Sequence, residues 1–340
     1  TRGGTRGARS HQDHGCRHEG RKPQALVHWF SPPPGRDDRL GPNRKILPGT
    51  RIEIPLSMLK VQPTPARVIA LSGGGTLVRD SGEREALTLD TKLYSGDRVI
   101  TEAGQNLRIQ FADKSELQVL AETEVVFDRL SHHQQSGMVD TRIRLNSGRL
   151  NTRVNRLSDD SHYEIRTPAA ITAVRGTGFR LSSDSNQITR TEVSEGLVAV
   201  AAGGVEKALS AGFGILAEKG KPLSEPVRLL AAPEIIRQQL INRNTLQLSW
   251  VELDGAENYR YQLAQDLAFN RITLDEVTAL STVELNDLQP GSYFLRLRGI
   301  DRLQLQGADT SLDFTIQSPA LEPEPKIKTT VPIGVLLLIP

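Results

Sequence analysis

LRIQFADKSELQV, residues 107–119, decides how this 340-residue chain folds. Leu107, Ile109 and Phe111 alternate with polar residues, Asp113-Lys114-Ser115 carries turn chemistry, and Leu117 and Val119 resume the alternation. A period of two puts every second side chain on one face, so the stretch predicts two strands joined as a hairpin over a buried face. The same rule extends outward to Ile143/Leu145, Leu150/Val154, Tyr163/Ile165, Phe179/Leu181 and Val198/Val200. Turn signals stand between them at Asn146-Ser147-Gly148, Glu195-Gly196, Gly203-Gly204 and Gly212. Short strands at this spacing, with no helical period of any length, predict an all-β sandwich or solenoid.

Composition agrees. Apolar residues make up 37% of the chain, mostly Val, Leu and Ile, and aromatics only 4%, which suits strands packed in thin layers. The formal charge of +2 is unevenly spread: residues 1–45 hold ten Lys and Arg against four Asp and Glu, an excess of six that leaves the remainder at −4. A mildly acidic folded part argues against a nucleic-acid partner, which needs clustered bases on one face. Cys16 is the sole cysteine, so no intrachain disulfide can form. The first 24 residues lack the apolar run of about 7 to 15 residues that marks a secretory signal. The start at Thr1 reads as a fragment, and the apolar Val331–Pro340 end as a truncation, being about half the length of a bilayer-spanning helix.

Residues 1–40, rich in Arg, Gly, His and Pro, are expected to be a disordered basic arm. His11, His14, Cys16, His18 and His28 lie in it, but their spacing matches no closed four-ligand pattern, so neither metal nor cofactor is expected. In residues 41–60 a Pro-Gly turn feeds the Ile52/Ile54 strand, which Pro55 stops. Asn43, Ile46, Gly49, Ile52, Ile54 and Pro55 resemble the closing part of a LysM module. That resemblance implies a peptidoglycan or other cell-wall glycan as partner, with Asn43, Ile46 and Pro48 as candidate contacts. The opening strand and Gly-Asp-Thr-Leu loop of such a module are not found in residues 1–40.

Residues 61–88 are read as a linker with first strands. Over 89–221 the ordered motifs Gly96-Asp97-Arg98-Val99-Ile100-Thr101, the 107–119 hairpin, Leu145-Asn146-Ser147-Gly148, Thr167-Pro168, Val174-Arg175-Gly176-Thr177-Gly178-Phe179 and Val193-Ser194-Glu195-Gly196 resemble the FecR-like domain. The resemblance implies a twisted β-sandwich or solenoid of short antiparallel strands. Its motif residues are then structural: Pro168 ends a strand, Gly176 permits a bend, Thr177 ties that bend through its hydroxyl, and Phe179 enters the core. Lys114 stands where a glycine is usual, which predicts a left-handed residue at Asp113 or Lys114. Residues 222–244 are read as a linker with a short helix over 234–240. In 245–317, Trp250 on an early strand and Tyr293 in Leu288-Gln289-Pro290-Gly291-Ser292-Tyr293 resemble a fibronectin type III-like sandwich with its corner tyrosine. Residues 318–340 form a Pro-rich tail with a short apolar end.

Chemistry finds little support. Arg175-Gly176-Thr177-Gly178 suggests a phosphate cradle, but the Phe179-Arg180-Leu181-Ser182 alternation that follows is a strand, with no helix N-terminus to face an anion. Gly214–Lys221 is one residue too long for a P-loop, and Pro222 stands where Ser or Thr would hold magnesium. His132 and His133 are expected in a solvated loop and His162 just before a strand, without a nucleophile motif. Carboxylates are expected on strand exteriors. The reading is therefore a non-catalytic, modular cell-envelope protein of the Gram-negative periplasm that binds peptidoglycan or envelope and outer-membrane proteins. The FecR-like resemblance implies an alternative, a periplasmic relay that reports a siderophore transporter's state to a sigma factor. A glycan-active enzyme is the remaining reading.

Overall fold

The computed structural model describes residues 62–317 except 134–137 and 158–160. Those described residues are strands and turns, without a helix. The hairpin forms as its alternation dictates: Asn106–Gln110 pairs with Glu116–Val119, with Leu107 opposite Val119 and Ile109 opposite Leu117. Lys114 takes φ 67°, and the Asp113 carboxylate closes the turn by accepting from the Ser115 N–H (3.0 Å) and hydroxyl (2.6 Å).

Two sheets face each other across one core that includes Leu107, Ile109, Phe127, Ile143, Tyr163, Phe179 and Val198. They share strands and close on themselves as a barrel. The chain passes repeatedly between them. Met138–Arg153 is the longest example: its first half pairs with Thr123–His133, and from Gly148 it pairs with Glu116–Val119 and Gly178–Ser183 in the other sheet. The turn expected at Asn146-Ser147-Gly148 is thus a corner within one strand. Gly148 takes φ 102°, and a Cβ there would fall on Thr123, so only glycine lets the strand bend this close to its neighbour. Gly196 does the same between Ile188–Glu195 and Leu197–Ala202, where a Cβ would lie 2.8 Å from both the Gly176 carbonyl and Thr177 Cγ2.

Several expectations change. Ala66–Ser72 pairs with Asn106–Gln110, and Thr76–Val78 with Arg98–Thr101, so residues 61–88, read as a linker with first strands, supply strands to the sheets. One pairing, Met138–Arg153 with His162–Arg166, is parallel rather than antiparallel. His132 and His133 extend the Thr123–His133 strand instead of lying in a loop, because Val139 and Met138 pair with them. The helix expected at 234–240 is the strand Ile235–Asn242, held by Thr245–Trp250; pairing beside Leu246, Leu248 and Trp250 overrides its helix-forming composition.

That strand opens the second body, a sandwich of a three-stranded and a four-stranded sheet with fibronectin type III-like architecture. Trp250 is buried edge-on to Tyr259, with ring centroids 5.3 Å apart. The Tyr293 phenol donates to the Gln289 carbonyl at 2.9 Å, a corner that ties the strand Gly291–Asp301 to the turn before it.

Candidate functional site

In Gly178–Ser183 and Ile188–Glu195, alternation sends Phe179, Leu181, Thr191 and Val193 into the core and turns Arg180, Arg190 and Glu192 outward. The outer face they form is covered by the four-stranded sheet of the sandwich. Glu192 is 1% exposed as a result. One of its oxygens accepts from the Gln306 N–H (3.1 Å), and the other lies 3.4 Å from Arg180 Nε. Arg180 in turn donates through Nη2 to the carbonyls of Gln306 (2.7 Å) and Gly307 (2.6 Å). From the sandwich side, Arg298 is 2% exposed, donates to the side-chain oxygens of Gln262 (2.9 Å) and Gln306 (3.2 Å), and sets Nε 2.7 Å from Asp309.

A second centre is Asp275, which takes Arg149 of the first body (3.0 Å) and Arg260 (2.7 Å) and Gln262 (3.1 Å) of the sandwich. Around both centres, Gln118 donates to the Phe269 carbonyl (2.6 Å), Arg108 to Ala268 (2.5 Å) and Arg190 to Leu303 (2.8 Å). Leu120 packs with Ala264, Phe269 and Ile272 at one margin. Buried charge survives only when paired and hydrogen-bonded, and here each centre is. Burial still pushes the Glu192 carboxyl up against the opposing pull of Arg180, and pushes the Arg298 guanidinium down to about 10 against the pull of Asp309.

The void between Arg149, Arg180, Glu192, Gln262 and Arg298 is about 10 Å³, room for one water and not for a substrate. A larger cleft of about 520 Å³ opens in the sandwich beside Tyr261, Leu263, Glu276 and Leu288. There the Tyr261 phenol, bonded to Glu276 at 2.6 Å, is pushed up to about 12 by burial and then by that carboxylate. Among the described residues no group of His, Cys, Asp and Glu could hold a metal. No helix long and apolar enough to cross a membrane occurs among the described residues.

The residues singled out in the sequence lie elsewhere. Asp97 is buried beneath the Gly96 turn, accepting from the Tyr94 N–H (2.8 Å) and Arg79 (2.7 Å). Thr167 stitches the turn before Ile171–Val174, taking the Ala170 N–H at 2.9 Å next to Pro168. Gly148, Gly176 and Gly196 are corners, and Glu195 is an exposed residue beside the last. Phe179 is buried in the core. Thr177 departs from expectation: its hydroxyl is buried with no hydrogen-bond partner among the described residues, and its carbonyl does the tying, accepting from Val154 at 2.8 Å. His162 is the exposed first residue of the strand His162–Arg166, paired with Asp140, rather than preceding that strand. Trp250 and Tyr293 serve the sandwich core. Asn43, Ile46 and Pro48 lie outside the described residues.

Residues 97–199 match the FecR protein family. The FecR-like body thus includes Arg180 and Glu192, so its contact with the sandwich falls inside the matched span. No curated protein matches the chain. Among solved structures, a "putative anti-sigma factor" from Parabacteroides distasonis ATCC 8503 is 16% identical with TM-score 0.32, covering 38% of this chain and 58% of its own length. This chain therefore spans under two thirds of that protein. FN3tt is 20% identical with TM-score 0.23, covering 27% of this chain and 98% of its own. A two-domain fibronectin type III segment of chicken tenascin is 15% identical with TM-score 0.22, covering 50% and 93%.

Sequence reasoning missed Arg180, Glu192, Gln262 and Arg298 because period-two alternation marks them as exterior. A signal was available. The outward positions of Gly291–Asp301 include Phe294 and Ile300, and Ile300 is 4% exposed, which a solvent-facing sheet would not need.

Proposed function

We propose that the chain is the non-catalytic, envelope-side part of a FecR-type signal relay, which takes up the state of a partner protein by direct contact. The match of residues 97–199 to the FecR family carries this reading. What supports it further is the buried contact at Glu192 and Arg298, which ties the FecR-like body to the sandwich so that a displacement of one is transmitted to the other. The partner class implied by the family is an outer-membrane siderophore transporter presenting its signalling domain to the periplasm. Pull-down of the purified chain with such a signalling domain should show saturable capture. Sedimentation with purified sacculi and no capture would favour the cell-wall reading attached to Asn43, Ile46 and Pro48 instead. Turnover of murein by the purified chain would overturn both.

A further inference from the structure

Ile235–Asn242 is held along one edge by Thr245–Trp250, and among the described residues no strand pairs with its other edge. Seven of its eight residues are exposed, including Ile236 (63%), Leu240 (49%) and Ile241 (50%). An open edge is a row of unpaired N–H and C=O groups, which sheets guard with charges and bulges. Here the irregularities at Ile236 and Ile241 bound a regular run, Arg237–Leu240, in which Arg237 is the one charge. That run is free to continue the sheet.

The sequence of the strand selects its partner. When a strand pairs antiparallel with its own copy about a two-fold axis, directly opposite residues share a face, so the axis falls on a residue and not between two. Centred on Arg237, the pairing sets arginine on arginine, and centred on Leu240 it sets Arg237 on Arg243. Centred on Gln239, it puts Arg237 on Ile241 and Ile236 on Asn242. Centred on Gln238, it puts Ile236 on Leu240, Ile235 on Ile241 and Arg237 on Gln239, matching apolar to apolar with no like charges opposed. We propose that Ile235–Asn242 is a self-association surface that joins two copies of this chain edge to edge about Gln238. The two-fold closes on itself, so assembly stops at two copies. Eight residues a side fall well short of the roughly 20–30 of a standard interface, so the dimer is reversible and concentration-dependent. This surface goes beyond the relay reading and does not rest on it.

Sedimentation equilibrium of the full chain over a concentration series at low ionic strength should show the mass rising from one chain towards two. Gln239→Glu places a carboxylate opposite the other copy's Arg237 at two symmetric points and should tighten the dimer about fivefold. Gln238→Glu sets carboxylate against carboxylate on the axis and should loosen it about threefold. Both residues are exposed and both variants make the same change of charge, so net charge cannot separate them, and circular dichroism checks that each keeps the fold. Two variants that shift the equilibrium in the same direction, or leave it unmoved, would overturn the pairing. Masses climbing past two copies would overturn the two-fold. A chain that stays monomeric throughout, Gln239→Glu included, leaves the edge to another protein's strand and overturns the proposal.

Discussion

Thr177 shows how far one residue can be read. Its place before Gly178 suggests a hydroxyl that fastens the bend, yet the hydroxyl is buried without a partner and the backbone carries the bond. A buried unpaired hydroxyl costs its desolvation and returns nothing, so Thr177→Val should stabilise the chain by up to about 1 kcal/mol. Urea unfolding checks this, and a lower midpoint would mean that the hydroxyl is satisfied in solution. A left-handed residue at Asp113 or Lys114 was legible because the FecR-like pattern usually has glycine there, and Lys114 is the one that takes φ 67°. Hydrogen-bond partners are set by three-dimensional neighbours, which explains why the sequence yields Lys114's backbone and not Thr177's hydroxyl.

At the scale of the strand, hairpins were legible and corners were not. The 107–119 pair announces itself because its turn residues and its alternation agree. Asn146-Ser147-Gly148 also carries turn residues but makes no reversal, since the partner strand Gly178–Ser183 that receives the second half comes about thirty residues later. Ile235–Asn242 was hidden for a related reason: Ile236 and Ile241 sit at irregularities in its pairing, which breaks the period of two. Gly148→Ala tests the corner. With φ 102° and Thr123 in the path of the new methyl group, the substitution should cost on the order of 3 kcal/mol, read as a drop in urea midpoint. An unchanged midpoint would mean that the two halves of Met138–Arg153 are not held at a fixed angle.

For the whole molecule, the question is what joins the two bodies, and the sequence hid most of it: contact faces and solvent faces share one polar pattern, and Phe294 and Ile300 on the outward row of Gly291–Asp301 are the mark that stood out. The join has a pH signature. Burial raises the Glu192 carboxyl above its ordinary value of about 4.3, so the folded chain takes up a proton there before the unfolded chain does. Its contribution to stability is fully present below about pH 4.3 and is lost as pH rises through the higher folded value. The stability of wild type relative to Glu192→Gln should therefore be greatest in acid and decline towards neutrality, by about 1.4 kcal/mol for each unit of displacement. Urea midpoints of both proteins across that range decide it; a difference that grows with pH would reverse the assignment.

Arg180 grips two successive carbonyls, Gln306 and Gly307, with a single planar group. Linkage of this kind has no slack to take up, unlike a flexible tether that must first be drawn straight. A planar group held at two points cannot pivot as a single hydrogen bond can, so the Gln306-Gly307 segment keeps one orientation over Gly178–Ser183.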